Sequence, residues 1–472
     1  MLIASVLVML SARASGASVG VSVVDFGAVP NGLDSRAAIQ AALDAGAGHE
    51  VYFPPGSYLV GAAPAKSWCL WVWPGTTLVG GGVGSTILAQ GAVPASTVLL
   101  WIQDAPGVSI RSMSLVGQRA IQGPPLASGP QRHGVFVKNS PRLLISSAYV
   151  GDFAGDGAYL YAGSDLSTIV DSDLDGNERN GVTLGGQTKY VSAVGSRFTR
   201  NADGWHAEGG GRNTDVSLIG CTFDQNSSFA IVMSGTGADP DRHNYRWTVA
   251  GNVVNGPVLA SWVDDVIYAG NRGVNPTAQP SVWVYRSSAH IRVVDNILSS
   301  TGPAAQDTGG IVYVVGTNPG QSPDDVTIAR NDLSSARPQY GVVAISASRV
   351  VVEENRISGA GGSGPEAGVF ARVTRAEVPV SIDVRGNQIS DFGSWGIRLG
   401  GSSGVISRAR IMENAFSGAM RAAMNLDDGL GEAVDVEVSE NQIDARIGTS
   451  MVNPPRGIEI PLQGTRWISA TP

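Results

Sequence analysis

The stretch NDLSSARPQYGVVAISASRVVVEENRI, residues 331–357, contains one unit of a repeat and the first three residues of the next unit. It begins with Asn331-Asp-Leu333 and ends with Asn355-Arg-Ile357. We call this pattern of an Asn, any residue and a large apolar residue the marker. Between the two markers lie short runs of Val, Ala and Ile without a long amphipathic helical pattern. This spacing indicates a repeat unit of about 24 residues.

The marker recurs along most of the chain after residue 110, at spacings of 19 to 35 residues. Ser or Cys replaces the Asn in some units, as in Ser196-Arg-Phe198 and Cys221-Thr-Phe223. Short β-rich runs with Gly and Asn at the bends predict three strands per unit, hence an all-β solenoid of the parallel β-helix type. We expect about 12 coils. The marker Asn should be buried and stacked, because stacked amides hydrogen-bond from coil to coil.

Composition narrows the class of protein. Of 472 residues, 43% are hydrophobic and 15% charged, which is enough to bury a core and excludes wholesale disorder. The 62 Gly have no strict period of three, so a collagen is excluded. A net charge of −8 argues against a nucleic-acid partner. Cys69 and Cys221 lie several coils apart, so we predict that both are reduced.

The first residues are typical of a targeting segment. An apolar run, Leu2 to Leu10, precedes the A-x-A cleavage pattern at 12–14, which predicts a signal peptide over residues 1–17. The alternative is a buried or disordered N-terminal strand. We predict a secreted, periplasmic or extracellular protein without a membrane span, because no later run reaches about 18 apolar residues. Residues 18–472 should form one domain, of which 21–60 hold the first strand, a cap helix and the first coil.

Residues 34–46 are predicted to form a helix that covers the end of the solenoid. Asp34 or Ser35 can cap its N-terminus, and Gly46 can end it. One face is apolar at helical spacing, with Ala38, Ile39, Ala42 and Leu43.

The block from Val23-Val-Asp-Phe-Gly-Ala-Val29 to Val51-Tyr-Phe-Pro-Pro-Gly-Ser-Tyr-Leu-Val60 resembles the N-terminal signature of pectate-lyase-like β-helix proteins. That superfamily includes polysaccharide hydrolases, lyases, alginate epimerases and phage tailspike depolymerases. The resemblance implies a right-handed β-helix and leaves the reaction open. The Gly-His-Gly and Arg-Ile-Lys motifs of polygalacturonase-type hydrolases and the Tyr-Gly-Phe-Asp-Pro-His motif of the epimerases are absent, so no catalytic residue is carried over.

The densest set of chemical groups lies between residues 130 and 245. Three successive coils align on Asp156-Gly157, Asn180-Gly181 and Asp203-Gly204, with offsets of 24 and 23 residues. Alternate residues after each Gly should point outward. We predict catalytic roles for Asp156, Asp203, His206 and Glu208, all facing solvent. We predict substrate-binding roles for Lys138, Tyr159, Tyr161, Arg179, Arg132 and His133. For the two Asp, the alternative is ordinary turn chemistry.

These groups suit polysaccharide chemistry in two ways. Asp156 and Asp203, about 9.6 Å apart along the coils, can serve as the acid and base of glycoside hydrolysis. Alternatively, Tyr159 or His206 can remove the C5 proton of a uronate, as in a lyase or epimerase, with Lys138 or Arg179 neutralising its carboxylate. The ligand types also allow a metal at Asp203, His206 and Glu208, although we predict neither metal nor cofactor.

Carboxylates outnumber basic groups on this face, so the sequence favours glycoside hydrolase-type cleavage of a polysaccharide. The first alternative is a polysaccharide lyase or uronate C5-epimerase. The second is a non-catalytic glycan-binding surface protein or a tailspike-like protein. A monomer is expected.

Overall fold

The computed structural model describes residues 20–89, 94, 97–122, 132–210, 212–237, 239–302, 309–317, 321–337, 339–361, 367–374, 380–401, 406–426, 435–444, 446–447, 449, 451–452, 462–463 and 465–468. The signal peptide predicted over residues 1–17 lies outside these ranges and stays a prediction.

Three parallel sheets run along the molecule, and each strand pairs with its equivalents in the coils before and after it. In the described residues the first sheet has 17 strands: Val21–Ser22, Glu50–Phe53, Thr77–Gly80, Ser109–Arg111, Leu144–Ser146, Thr168–Val170, Ser192–Val194, Thr214–Ile219, Asn244–Ala250, Val263–Ala269, Ala289–Val294, Asp324–Ala329, Arg349–Glu353, Val380–Arg385, Ile406–Met412, Val436–Ser439 and Leu462–Gln463.

The second sheet has 16 strands in the same ranges: Gly56–Val60, Ser85–Ala89, Ser114–Val116, Tyr149–Gly151, Asp173–Asp175, Arg197–Thr199, Thr222–Asp224, Val253–Val254, Arg272–Asn275, Ile297–Ser300, Asp332–Ser335, Arg356–Ser358, Gln388–Ser390, Ala415–Ser417, Gln442–Asp444 and Arg466–Ile468.

The third sheet has 15 described strands: Trp68–Trp71, Val98–Gln103, Val135–Lys138, Ala158–Tyr161, Asn180–Gly185, Asp203–Ala207, Phe229–Ser234, Val258–Ser261, Val282–Tyr285, Gly310–Val315, Tyr340–Ile345, Ala367–Val373, Trp395–Gly401, Ala422–Leu426 and Met451–Val452. The helical segments are Val23–Phe26, Arg36–Ala45, Arg119–Gln122 and Pro240–Arg242.

The all-β parallel β-helix predicted from the repeat is confirmed. The coils number more than the 12 expected, because the marker is absent before residue 110 whereas the strands begin at Val21. Inside the tube the apolar side chains stack from coil to coil; Phe198 and Phe223, for example, lie ring over ring at 5.0 Å between centroids. Burial of this continuous interior is the main stabilising contribution.

The predicted Asn ladder is also confirmed. Successive Asn side chains donate and accept along one column from coil to coil: Asn252, Asn271, Asn296, Asn331, Asn355, Asn387, Asn414 and Asn441. The backbone N–H of Cys221 donates to Asn252 Oδ1 at 2.8 Å, so Cys221 occupies the next position of the column. Each buried amide thereby satisfies neighbouring backbone groups.

A second ladder, which the sequence reading missed, leads into the third sheet. Asn177 Nδ2 donates to Asn201 Oδ1 at 3.0 Å, and Asn201 Nδ2 donates to Asn226 Oδ1 at 3.4 Å. All three side chains are buried just before a strand of the third sheet begins. This ladder anchors the corner from which the candidate site projects.

Both cysteines are free and buried, as predicted. Burial raises the pKa of the Cys69 thiol to about 12 and that of Cys221 to about 11. Both thiols therefore stay protonated and unreactive at neutral pH.

The helix Arg36–Ala45 lies where the sequence placed a cap. Its first N–H, of Arg36, donates to Asp34 Oδ1 at 2.9 Å, so Asp34 is the capping side chain, whereas the Ser35 hydroxyl donates to the Val29 carbonyl at 3.2 Å. Ile39, Ala42 and Leu43 are fully buried in the core. The helix thus covers the apolar end of the tube.

Replacing Ile39 and Leu43 together with Asp is expected to expose that end and cause aggregation. The measurement is light scattering with a thermal melt. Ala37 and Ala41 lie on the exposed side of the same helix, so Ala37→Asp with Ala41→Asp adds equal charge as a control. A double variant at Ile39 and Leu43 that stays as monomeric and stable as this control would contradict the capping role.

Candidate functional site

The candidate residues lie on the outward face of the third sheet. Tyr159, Thr183 and His206 occupy one register position in three successive strands. The alternate positions point into the core, where Leu160, Leu184 and Ala207 are fully buried. The inward positions predicted from the sequence are therefore confirmed, whereas Thr183, at an outward position, is fully buried.

The glycines used to align these coils are required by close packing. A Cβ on Gly157 would lie 2.7 Å from the Gly181 carbonyl oxygen, and a Cβ on Gly181 would lie 2.5 Å from that of Gly204. The coils approach closely at this corner, which brings the three strands and their polar side chains together.

Asp203 and His206 form a hydrogen-bonded pair. His206 Nδ1 lies 2.6 Å from Asp203 Oδ2, and Asp203 Oδ1 accepts the Phe229 N–H at 2.9 Å. A carboxylate only accepts, so His206 Nδ1 carries a proton in this hydrogen bond, and in the neutral ring Nε2 then carries the lone pair. The His206 side chain is 28% exposed, so this pair places an oriented imidazole at the surface.

Glu208 links two further candidates. The Tyr159 hydroxyl donates to Glu208 Oε2 at 2.6 Å, and Arg179 donates to Glu208 Oε1 at 3.2 Å. Burial, followed by the hydrogen bond to Glu208, raises the pKa of the Tyr159 phenol well above its usual value. Burial alone would lower the pKa of Arg179, but Asp156 and Glu208 raise it above its usual value. Tyr159 is therefore a proton donor at neutral pH, and Arg179 a permanent cation.

The prediction that Asp203 and Asp156 face solvent is wrong, because Asp203 is only 8% exposed and Asp156 is fully buried. The Asp156 carboxylate accepts the Asn180 N–H at 3.0 Å and lies 3.5 Å from the Arg179 guanidinium. The side chain turns into the close-packed corner instead of projecting from the sheet. Asp156 thus positions Arg179 and cannot reach a polymer on the surface.

The prediction that His133 binds substrate is wrong, because His133 is buried beside Asp156. Its Nδ1 accepts the Asp156 backbone N–H at 3.0 Å, and burial lowers its pKa. Both observations indicate that the His133 ring is neutral. The 3.3 Å distance between Nδ1 and Asp156 Oδ2 is therefore not an ion pair. Its ring packs edge-on against Tyr159 at 5.3 Å between centroids, so His133 supports the site from below.

Lys138 and Tyr161 are register partners in neighbouring strands and lie beside the Tyr159 column, as the sequence placed them. Tyr161 is 37% exposed. Arg132 is half-buried at the corner, where its carbonyl accepts the Gly155 N–H at 3.0 Å. Of these three, Lys138 and Tyr161 lie within a strand of the third sheet, and their roles in binding stay predictions.

The segment 239–246 contains the short helix Pro240–Arg242. His243 is buried, and its Nδ1 lies 3.0 Å from Asp264 Oδ2 in the first sheet. His243 therefore stabilises the join between two coils.

A cavity lies elsewhere, on the first sheet. It measures about 700 Å³ and its lining includes Tyr190, Asp215, Arg246 and His290. It contains none of the candidate residues, and most of its charges neutralise one another, as in the Arg246–Asp215 pair at 2.6 Å. We place the candidate site on the third sheet because the oriented acid and base groups are there.

Within the ranges that the structure covers, no three His, Cys, Asp or Glu side chains form a cluster suited to a metal ion. In the same ranges no helix has the length and apolar character needed to cross a bilayer.

Sequence reasoning missed the aromatic side chains before residue 110. Trp71 and Trp101 continue the column of Tyr159 toward the N-terminus, with Phe136 between Trp101 and Tyr159. The available signal was the run Trp68-Cys-Leu-Trp-Val-Trp73, which is dense in Trp for a strand at the start of a solenoid.

Comparison with known protein families agrees with this architecture. Residues 20–100 match the family described as rhamnogalacturonase A/epimerase, pectate lyase-like. Residues 121–318 match the family described as right handed beta helix region.

Two curated relatives are mannuronan C5-epimerases of Azotobacter vinelandii. AlgE6 is 38% identical over 109 residues, which cover 21% of this chain and 12% of AlgE6. AlgE4 is 45% identical over 73 residues, which cover 14% of this chain and 13% of AlgE4. The matched stretches thus span about an eighth of the length of either relative.

Solved structures show the same fold. The catalytic unit of a GH87 alpha-1,3-glucanase from Streptomyces thermodiastaticus aligns with 98% of this chain and 72% of its own, at 15% identity and a TM-score of 0.51. PfbA, a surface adhesin of Streptococcus pneumoniae, aligns with 71% of this chain and 91% of its own, at 15% identity and a TM-score of 0.52. Gene product 12 of bacteriophage phi29 aligns with 95% of this chain and 72% of its own, at 14% identity and a TM-score of 0.57. At these identities the likeness concerns the fold alone.

Proposed function

We propose, from the premise that this chain has the right-handed β-helix fold of the pectate-lyase-like superfamily, that it modifies an acidic polysaccharide by proton transfer at C5 of a uronate. The product is either a cleaved, unsaturated chain or a C5-epimerised one. The observation that carries the proposal is the pairing of an oriented imidazole, His206, with the Tyr159–Glu208–Arg179 cluster two strands away on one sheet face.

Proton abstraction next to a carboxylate needs a base, an acid and a cation that stabilises the developing negative charge. His206 Nε2 serves as the base, since Asp203 holds the proton on Nδ1 and stabilises the imidazolium that forms. Without Asp203 the ring would be free to adopt the other tautomer.

Tyr159 serves as the acid. The phenol is protonated at neutral pH, and its single proton, now donated to Glu208 Oε2 at 2.6 Å, leaves that hydrogen bond to reach the sugar, while Arg179 stabilises the phenolate that remains. Tyr159 and His206 are separated by two strand spacings, about 9.6 Å between backbones, so they can approach a sugar ring from different sides.

Arg179 supplies the cation. It is held between Asp156 and Glu208, and its side chain is 29% exposed, so part of the guanidinium can meet a uronate carboxylate. Lys138, in register with Tyr161 beside the site, can bind a neighbouring uronate along the chain.

Glycoside hydrolysis through Asp156 and Asp203 fits less well. Asp156 is buried, and Asp203 is bonded to His206, so neither offers a free carboxylic acid to a leaving oxygen. The identity with mannuronan C5-epimerases over a short stretch also favours uronate chemistry and suggests mannuronan as the first substrate to try. Export, proposed from residues 1–17, would bring the protein to such a polymer.

A polysaccharide panel tests the proposal. Mannuronan, other polyuronates and α-1,3-glucan are incubated with the protein in deuterated water and analysed for reducing ends, for unsaturated uronates by ultraviolet absorbance, and for deuterium at C5. Deuterium at C5 without cleavage identifies an epimerase, and unsaturated ends identify a lyase. Reducing ends without unsaturation would contradict the proposal in favour of hydrolysis. Binding without any of these products would contradict it in favour of a glycan-binding protein.

A further inference from the structure

Aromatic side chains form a continuous strip on the outward face of the third sheet, between the capped end and the candidate site. We call Trp71, Trp101 and Phe136, with Trp68 and Trp73 beside them, the aromatic strip. Trp71, Trp101, Phe136 and Tyr159 share one register position in successive strands. The strip therefore leads directly into the candidate site.

The rings of the strip touch one another. Centroid separations are 4.5 Å between Trp101 and Phe136, and 5.6 Å between Phe136 and Tyr159. Trp68 lies 5.1 Å from Trp71 and 5.5 Å from Trp101. The strip holds four of the ten Trp of the chain. A contiguous row of aromatic rings on the outside of a solenoid is a candidate binding surface.

Polar groups fix how the rings are presented. Trp73 Nε1 donates to Asp44 Oδ1 at 2.7 Å, and Trp101 Nε1 donates to Gln103 Oε1 at 3.2 Å. Trp73 is exposed, whereas Trp71, Trp101 and Phe136 are half-buried. The rings are thus held in place before any ligand arrives, which reduces the entropy lost on binding.

A polar column runs parallel to the strip. Gln103, Lys138 and Tyr161 are register partners in successive strands, two residues beyond the aromatic column. The chain has only three lysines, and two of them lie here: Lys138 in this column, and Lys66 with its ammonium 5.2 Å from the Trp68 ring centroid. Apolar ring faces flanked by hydroxyl, amide and ammonium groups suit pyranose rings that carry carboxylates.

We propose that the aromatic strip binds an extended acidic polysaccharide along the solenoid axis and delivers it to the Tyr159–His206 site. This inference rests on the proposed function for the identity of the polymer. Neighbouring strands of the sheet are about 4.8 Å apart, so successive positions of the strip have a spacing comparable to the rise of one sugar in an extended chain. On the other side of His206 the column continues with the aliphatic Val232 and Leu259 before it reaches Trp283 and Tyr313, so the rings that adjoin the candidate site directly lie on its N-terminal side.

Trp101→Ala tests the strip by binding rather than by turnover. Calorimetry measures Kd for mannuronan oligomers of increasing length, with α-1,3-glucan oligomers as neutral probes. The variant should weaken binding of long mannuronan oligomers about tenfold or more, as truncation of a central Trp does in other interfaces. Binding of the shortest oligomers should change little, and neutral oligomers should bind at least about tenfold more weakly than mannuronan oligomers, a difference of about 1.4 kcal/mol.

Tyr190→Ala is the control, because Tyr190 is an exposed aromatic residue that lines the cavity on the first sheet. It should leave every Kd unchanged. If Trp101→Ala lowers the thermal midpoint, the test is repeated with Trp71→Ala, the register partner of Trp101 in the neighbouring strand. If a folded Trp101→Ala variant binds mannuronan oligomers of all lengths with wild-type affinity, the strip is not the binding surface. If neutral oligomers bind as tightly as mannuronan oligomers, the ligand of the strip is not specifically acidic.

The strip and the proposed reaction can fail separately. If removal of the His206 imidazole leaves turnover intact while Trp101→Ala weakens binding, the strip stands and the reaction is wrong. If removal of the imidazole abolishes turnover while Trp101→Ala binds normally, the reaction stands and the strip is wrong.

Discussion

His206→Asn is expected to lower turnover by about 10²–10⁴-fold, the usual loss when a general base is removed. The Asn amide can take the place of Nδ1 and still donate to Asp203, so the pair is kept while Nε2 disappears. The side chain is partly exposed and outside the core, so the fold should be spared. Turnover is measured as C5 deuterium incorporation on the substrate that the panel identifies, alongside a thermal melt.

His290→Asn is the matched control. His290 also lies near an aspartate, with Nδ1 3.4 Å from Asp265 Oδ1, but it lies on the first sheet and is largely exposed. Its replacement should leave turnover unchanged. Equal turnover in His206→Asn and His290→Asn would rule out His206 as the base of the reaction.

Asn355→Asp is expected to destabilise the protein by about 3–5 kcal/mol. Asn355 Nδ2 donates to the Ile328 carbonyl at 2.8 Å and to Asn387 Oδ1 at 2.9 Å. In the aspartate a carboxylate oxygen would face both acceptors, with no water to solvate it. The measurement is the shift of the thermal and denaturant midpoints.

Gln388→Glu is the control for charge alone. Gln388 is exposed in the next coil, so the new carboxylate stays solvated. It is the register partner of Arg356 in the adjacent strand of the second sheet. Its midpoints should stay close to wild type. If Asn355→Asp melts like this control, the Asn column contributes little to stability.

The candidate site was predictable in part. Residues that alternate after an aligned Gly, such as Tyr159 and His206, were placed correctly because strand alternation has a strict period of two. Asp156 was placed wrongly because it lies at the corner before the strand, where that period does not hold. Arg179, also at the corner, looked marginal in the sequence but bridges Asp156 and Glu208, which are 52 residues apart in the chain.

The repeat was sufficient to predict the β-helix and the buried Asn column, and the apolar spacing within residues 34–46 was sufficient to predict the cap helix, since these depend on local spacing and on contacts between neighbouring coils. Only the tertiary structure decided which polar groups pair. The hydrogen bond of Tyr159 to Glu208 joins residues two coils apart, and the strip from Trp71 to Tyr159 crosses three coil spacings. Such contacts depend on how side chains turn at each corner and on insertions between coils, and neither is encoded in the period of the repeat.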